Sequence, residues 1–486
     1  MRPSSQELYR VVQIREAERI AIQELQIPAM QLMRSAGLAA FNALQQRWPD
    51  VYRLSVFCGA GNNAGDGYVL ARLALQAGYN VIVYSVANVA HLKADALMAY
   101  QEYVQSGGRV LAFDVNLKPS GIIVDALLGT GLSREVSADY AAAIAAINAS
   151  DSPVIALDVP SGVDADTGCV WGAAVNAAMT VTFIALKCGL FTGEAANHCG
   201  DIVCSSLNVP DSVLANLPAA AQLYAKAPLP QRLRAAHKGH YGHVVLIGGN
   251  LGYSGAIRLA GEAALRSGAG LVSIATRAAH AAVLNLGRPE LMIHAMEALD
   301  EVQALLDKAT VIVIGPGLGQ DAWAQALLSA VLSLAKPMVL DADALNLLAR
   351  QPQRRQDWIL TPHPGEAARL LQVTSRDIGR DRYAAAKRLQ AEYGGVSVLK
   401  GAGTVIADET SVFVDTTGNP GMASGGMGDV LSGLLGALLA QGLTPIEAAK
   451  LGVYVHGEAA DRLAEEYGER GLLASDLLPK IRELLN

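Results

Sequence analysis

Short runs of aliphatic and β-branched residues, most of them leading into glycine or aspartate, recur along the chain and alternate with Ala/Leu-rich stretches of helical period. In the first half "RLSVFCG", "NVIVYSV", "GIIVDALLG", "SPVIALDVPSG" and "MTVTFIAL" read as strands, with "YVLARLALQAG" and "YAAAIAAINA" as helices between them. A strand apolar on both faces must be covered on both, and a helical crossover makes consecutive strands parallel. The pattern predicts an α/β architecture in which helices cover both faces of the sheets. "LYRVVQIREAERIAIQEL", ahead of the first strand, reads as an amphipathic helix lying against one side.

The alternation breaks across residues 211–237, where prolines stand at 218, 228 and 230 and no strand is legible. It resumes with "HVVLIGG", "GLVSIAT", "TVIVIGPG", "PMVLDAD", "WILTPHP" and "VSVLKGAG". "DVLSGLLGALLAQG" and "TPIEAAKLGVYVHGEAADRLAEEYG" read as late helices. At 486 residues the chain is too long for one ordinary core. The break is therefore read as a boundary between domains at 1–213 and 222–486. The halves share no motif, so they are not a duplication.

With 38 basic and 45 acidic residues, a net charge of −7 and no Lys/Arg runs, the chain gives no electrostatic reason to expect nucleic acid or an anionic membrane. The apolar stretch 430–440 is too short for a bilayer, and the N-terminal segment mixes charges without a signal-peptide core. Five cysteines (58, 169, 188, 199, 204), odd in number and with no C-x-x-C pair, suggest reduced, packing thiols. A cytoplasmic protein is expected, and a homo-oligomer.

Three strand ends in the first half carry oxygen donors. "CGAGNNAGDG" supplies Asn62, Asn63 and Asp66; "IIVDALLGTG" supplies Asp125 and the flexible Gly129, Thr130 and Gly131; "VIALDVPSG" supplies Asp158 and Ser161. Ligands of open parallel sheets bind beyond the carboxyl ends of the strands, so three such ends can face one crevice. Glycine-rich turns entering helices suit phosphate, whereas Asn, Asp and Ser oxygens suit a hard cation; the residues alone leave both open. A single Asp or Asn there is ordinarily a helix N-cap, and it is the coincidence of three that points to a site. Lys187 can reach the same crevice or lie on the surface. No G-x-G-x-x-G follows the first strand and no acid ends the second, so an ordinary dinucleotide dehydrogenase fits poorly.

In the second half "GNPGMASGGMGDVLSG" (418–433) strips the backbone bare just ahead of an apolar helical run. Unpaired N–H groups at a helix N-terminus can close on phosphate oxygens or a developing oxyanion. Asp429 at the edge repels an anion, so its use is to take a proton from a hydroxyl that attacks phosphorus; the bland alternative is a first-turn acid among helix-spacing glycines. "SVLKGAGT" runs a buried strand into a glycine turn that leaves Lys400 to Thr404 able to lie against a nucleotide; taken alone it is an ordinary hairpin. "VIVIGPGLG" places Gly315, Gly317 and Gly319 after another strand. His363 stands between two prolines, with Pro364 and Glu366 suited to a first helical turn. Asp343 in "VLDADALN" and Ser254 in "GGNLGYSGAIRLAGEAALRSGAG" read as N-caps.

These motifs, in this order and over essentially the whole chain, resemble the bifunctional NAD(P)H-hydrate repair enzymes. "GAGNNAGDG", "DALLGTGL" and "LDVPSGVDADTG" resemble the epimerase domain; "GGNLGYSGA", "GPGLG", "DADALN", "TPHPGE", "KGAGT" and "GGMGDVLSG" resemble the nucleotide-dependent dehydratase. The resemblance implies a Rossmann-like three-layer sandwich followed by a ribokinase-like α/β domain. It implies substrates NADHX and NADPHX (hydrated NADH and NADPH), with ADP or ATP as co-substrate, K+ in the first domain and Mg2+ in the second. By resemblance, Asn62, Asn63, Ala64, Gly65, Asp66, Gly129, Thr130, Gly131, Leu132, Ser133, Arg134, Glu135 and Asp158 match substrate-binding positions, and Asn63, Asp125 and Ser161 match K+ ligands. Ala256, Gly317, His363 and Asp429 match positions that bind the hydrated nucleotide in the second domain. Lys400, Gly401, Ala402, Gly403, Thr404 and Gly428 match those that hold the adenine nucleotide. Asp158 and Asp429 are the expected catalytic acids or bases. Ala64 stands where the family commonly has glycine, which would conflict with a positive φ there. The competing readings are a ribokinase-like sugar or vitamin kinase, and a non-catalytic nucleotide sensor in the first half.

Overall fold

The computed structural model describes residues 6–226, 229, 231–298 and 300–486. Residues 1–5 of the N-terminal segment, and Pro228 and Pro230 of the break, lie outside the described residues. The chain divides into two compact units, 1–222 and 223–486.

In the first unit the strands are β1 (Glu7–Leu8), β2 (Arg53–Cys58), β3 (Asn80–Ser85), β4 (Arg109–Ala112), β5 (Ile122–Ala126), β6 (Val154–Leu157), β7 (Met179–Phe183) and β8 (Asp201–Ser205). Strands β2 to β8 form a parallel sheet in the order β4-β3-β2-β5-β6-β7-β8. The order reverses between β2 and β5, so the loops leaving their carboxyl ends part and open a crevice. The expected amphipathic helix is Val11–Gln23, beginning after β1 rather than at Leu8. The segment expected to hold no strand contains β9 (Ala221–Leu223), whose Ala221 and Gln222 pair antiparallel with Leu8 and Glu7. So brief a pairing needs no β-branched residues, which is why no strand pattern marks it.

The second unit contributes β10 (His243–Ile247), β11 (Leu271–Thr276), β12 (Met292–Ala295), β13 (Val311–Ile314), β14 (Met338–Leu340), β15 (Trp358–Leu360), β16 (Val396–Leu399), β17 (Thr404–Ala407) and β18 (Val412–Asp415). Their order is β12-β11-β10-β13-β14-β15-β16-β17-β18, parallel up to β16 and antiparallel across the last two pairings. Here the reversal falls between β10 and β13, which sets the first turn of the helix Ser254–Arg266, holding Ala256, beside the loop holding Gly317. The late helices are Met427–Ala440 and Pro445–Tyr467. The first is apolar nearly all round and buried, with a Cβ at Gly433 falling 1.9 Å from the Ala260 carbonyl of the helix Ser254–Arg266. Glycine is there because two backbones touch.

Three local expectations change. The cap of the helix Ala342–Leu348 is Asp341, and Asp343 lies in its first turn. The cap of Ser254–Arg266 is Tyr253, not Ser254. Ala64 is helical with negative φ, so its methyl meets no conformational objection. The five cysteines are free, and among the described residues no helix is long and apolar enough to cross a membrane.

Candidate active sites

The crevice of the first unit is a cavity of about 640 Å³. Asn62, Asn63, Asp66, Gly129, Thr130, Gly131, Leu132, Ser133, Arg134 and Asp158 all line it, as does Lys187. Ala64 is fully buried, Gly65 is packed against Met33 and Ala96, and Glu135 is exposed outside the lining. Asp158 adopts a left-handed φ of 66°, a conformation that Asp and Asn tolerate better than other side-chain-bearing residues and that clusters at functional sites. Lys187 is only 1 % exposed and donates to Asp158 Oδ1 (2.5 Å), Thr182 Oγ1 (2.8 Å) and the Phe183 carbonyl (2.7 Å). A buried ammonium with its three donors used is a built feature, not a surface lysine.

Two further carboxylates share this cation. Burial, then the charges of Asp158 and Glu18, push Asp66 well above the usual carboxylate range, and Lys187 pulls it back only in part. Glu18 is raised as well, by burial first and Asp158 second. It comes from the N-terminal helix Val11–Gln23, whose Ile14, Arg15, Glu18 and Ile22 form one side of the cavity. The helical spacing of these residues was legible; that their stripe faced a site was not.

Beside the cavity, Asp125 is fully buried, accepts from the Ser161 amide (2.8 Å) and hydroxyl (2.6 Å), and is pushed up to about 6 by burial, which those hydrogen bonds oppose. Ser161 Oγ in turn accepts from the Leu128 amide at 2.8 Å. One residue further on, Gly129 sits against Asn63, whose Oδ1 and Nδ2 are both buried without a hydrogen-bond partner. Two orphaned polar atoms in one buried amide leave a cost that a bound group would remove.

In the second unit, Asp341 directly follows β14 and is 2 % exposed. It accepts from Lys400 Nζ (2.8 Å) and Ser432 Oγ (2.7 Å). Burial works to raise it, but the Lys400 charge and these hydrogen bonds outweigh that and hold it below the usual range. A Cβ on Gly428 would lie 3.3 Å from Lys400 Nζ and 3.5 Å from Asp341 Oδ2, so the bare amide and the ion pair occupy one spot. Asp429, one residue on, is pushed up to about 7 by burial and by Asp341, against the pull of Lys400. Gly426 caps this helix at φ 93°, a conformation that favours glycine.

The remaining predicted residues fall into three groups. Gly317, at φ 59°, is pressed against Tyr253 and Ala256, bringing together the turns that follow β13 and β10. Pro364 and Glu366 lie in the first turn of the helix Pro364–Leu371 as expected, and His363 caps it, accepting from the Gly365 amide on Nδ1 (2.9 Å), while Glu366 accepts the His363 amide (2.8 Å). Burial first, then the charges of Lys400 and Arg369, lower the basicity of the His363 ring. The turn from Lys400 to Thr404 is pinned by the buried Arg382, which donates to the carbonyls of Leu399 (3.1 Å), Lys400 (3.2 Å) and Gly403 (3.4 Å). Sequence reasoning missed Arg382, which no local pattern marks. Asp341 was within reach, being a strand-end acid like Asp125 and Asp158.

Two α/β units, each gathering strand-end acids and bare glycine turns at the switch point of a parallel sheet, define an enzyme with two nucleotide-type sites. A family model described as NAD(P)H-hydrate dehydratase matches residues 244–483, and one described as YjeF-related protein N-terminus matches residues 29–189. The chain is 52% identical over 485 residues to the bifunctional NAD(P)H-hydrate repair enzyme Nnr of Coxiella burnetii, covering 99% of each chain. It is 46% identical to the enzyme of that name from Escherichia coli K12, over 97% of this chain and 93% of the other. Among solved structures, it resembles the ADP/ATP-dependent NAD(P)H-hydrate dehydratase of Bacillus subtilis co-crystallized with ATP/Mg2+ (34% identity, TM-score 0.48, 53% of this chain and 95% of that one). This chain belongs to the family of bifunctional NAD(P)H-hydrate repair enzymes.

Proposed function

We propose that the first unit interconverts the R and S hydrates of NADH and NADPH, and that the second dehydrates the S form at the expense of ADP or ATP. The observation that most supports this is Asp429, an acid poised near neutrality at the rim of the bare turn that holds Gly425, Gly426 and Gly428 and opens the helix Met427–Ala440. Hydroxide is a poor leaving group, so the ring hydroxyl must first be converted. Asp429 takes its proton as the oxygen attacks the terminal phosphorus, the bond to the leaving nucleotide breaks, and the amides stabilise charge on the transferring group. The ring nitrogen then expels phosphate from C6, and loss of the C5 proton restores the dihydronicotinamide. Lys400, fixed by Asp341, adds positive charge beside Gly428. Mg2+ bound with the nucleotide would neutralise phosphate charge, and the Asp341 carboxylate beside Gly428 is the oxygen donor that fits it.

Epimerisation breaks the C6–O bond and remakes it on the other face, so the departing hydroxyl gains a proton and the adding water loses one. Asp158, oriented by Lys187, serves both transfers, with Asp66 and Glu18 as neighbouring proton stores. Asn63, Asp125 and Ser161 would hold K+, which supplies fixed charge next to the loop 127–134; the orphaned Asn63 Oδ1 is the donor that fits. K+, but not choline, is then expected to raise the melting temperature by about 2 °C or more, and Asn63→Ala to abolish the difference. A cytoplasmic homo-oligomer belongs to the same reading, the free thiols supporting the compartment.

The deciding experiment is to incubate chemically hydrated NADH with ADP or ATP and Mg2+. Regained near-ultraviolet absorbance, with phosphate released in equal amount, is expected. A stable phosphorylated product without regained absorbance would make the second unit a small-molecule kinase instead.

A further inference from the structure

The segment between β18 and the helix Met427–Ala440 has an exposed middle, Ala423, Ser424 and Gly425. A backbone this bare has few side chains to fix its shape, so the shape must be imposed from outside. The helix Pro445–Tyr467 does this at both ends. At the near end, Asp461 accepts the Gly418 amide on Oδ2 (2.8 Å) and Asn419 Nδ2 on Oδ1 (2.9 Å). Asn419 Oδ1 then accepts the Gly421 amide at 3.0 Å. Thr417 Oγ1 lies 3.3 Å from the Tyr454 carbonyl, and a Cβ on Gly457 would fall within 2.1 Å of that oxygen. At the far end, the buried His456 donates to the backbone of Met427, the first residue of the helix that carries Asp429, while its Nε2 is buried without a partner. Residues 454, 457 and 461 share one helix face, with 456 beside it.

We propose that the helix Pro445–Tyr467 is the template of the phosphoryl-transfer loop, with Asp461 and His456 as positioning residues for dehydration. The proposal rests on the dehydratase reading above. Neither residue needs to touch substrate: one ties down the start of the loop, the other the first turn that presents Gly428 and Asp429. Donors that act on charge developing in the transition state lose effect when displaced, and a shift of about 1 Å can cost about a hundredfold.

The test compares full-length Asp461→Ala and His456→Leu with His456→Asn, which keeps a donor near the Nδ1 position. The dehydration kcat at saturating nucleotide is expected to fall about 10- to 100-fold in the first two, with KM for the S hydrate changed less than about threefold. His456→Asn is expected to recover to within about threefold of the parent, and epimerisation to be unchanged throughout. A kcat kept within about twofold in folded Asp461→Ala or His456→Leu overturns the proposal, as does a His456→Asn variant that melts like the parent yet stays as slow as His456→Leu. Should Asp461→Ala fail to fold, Asp461→Asn, which keeps the volume but only one acceptor, carries the same criteria. A parent that dehydrates nothing overturns the dehydratase reading and this proposal with it, an outcome distinct from variants as active as an active parent.

Discussion

Asp429→Asn is expected to slow dehydration by about a thousandfold or more, while epimerisation of the same hydrate pool proceeds at the parent's rate. The change is nearly isosteric and removes only the ability to accept a proton, so nucleotide affinity should hold while kcat collapses. The parent's pH profile gives a second reading. Asp429 is pushed up to about 7 in the folded protein, and only its ionised form is a base. Dehydration kcat/KM should therefore fall about tenfold per pH unit below that point and level off above it. Stability should move the other way from activity. A carboxyl raised by folding favours the folded state at low pH, and that contribution is lost as pH rises through its folded value. Asparagine carries no such penalty, so the variant should melt higher than the parent at pH 8, with the gap closing toward pH 4. Residual dehydration above about a tenth of the parent's rate would remove Asp429 from the mechanism.

The sequence was most legible where strands are buried on both faces and least where they lie at an edge. β5, β6 and β7 are buried at every position and read as runs of apolar and β-branched residues broken only by Asp125. β4 and β12, the outer strands on one side of each sheet, expose most of their residues, and "RVLA" and "MIHA" carry too little pattern to separate from loop. The site residues divide in the same way. Asp125, Asp158 and Asp429 announce themselves by standing at the ends of strands or beside bare glycines, where topology alone places ligands. Lys187 was visible but ambiguous, because burying its ammonium takes Thr182 and Phe183 at the end of β7 together with Asp158 from beyond β6. Glu18, Arg382 and Asp461 act over separations that no local period records; Asp461 meets Gly418 from 43 residues away.

Lys187→Met leaves Asp158, Asp66 and Glu18 without their common cation, and it is expected to abolish catalysed exchange of the R and S hydrates. It should also destabilise the protein by about 3 kcal/mol near neutral pH, because breaking a buried pair strands the remaining charge. The pH dependence separates this account from lost packing. Asp66 and Glu18 already sit above the usual carboxylate range with Lys187 present, and losing its pull raises them further. Carboxyls raised by folding stabilise at low pH and lose that contribution as pH climbs, so the variant's melting deficit should widen from pH 5 to pH 8. A cavity left by missing methylenes would give a constant deficit instead. Asp158→Asn makes the control, since asparagine tolerates the left-handed φ of 66° and leaves Lys187 its bonds to Thr182 and Phe183. That variant should fold normally, dehydrate the S hydrate at the parent's rate and leave the R hydrate to slow spontaneous exchange. Rapid repair of both hydrates by either variant would make the first unit's carboxylate–lysine cluster structural and reopen the reading of that half as a nucleotide sensor.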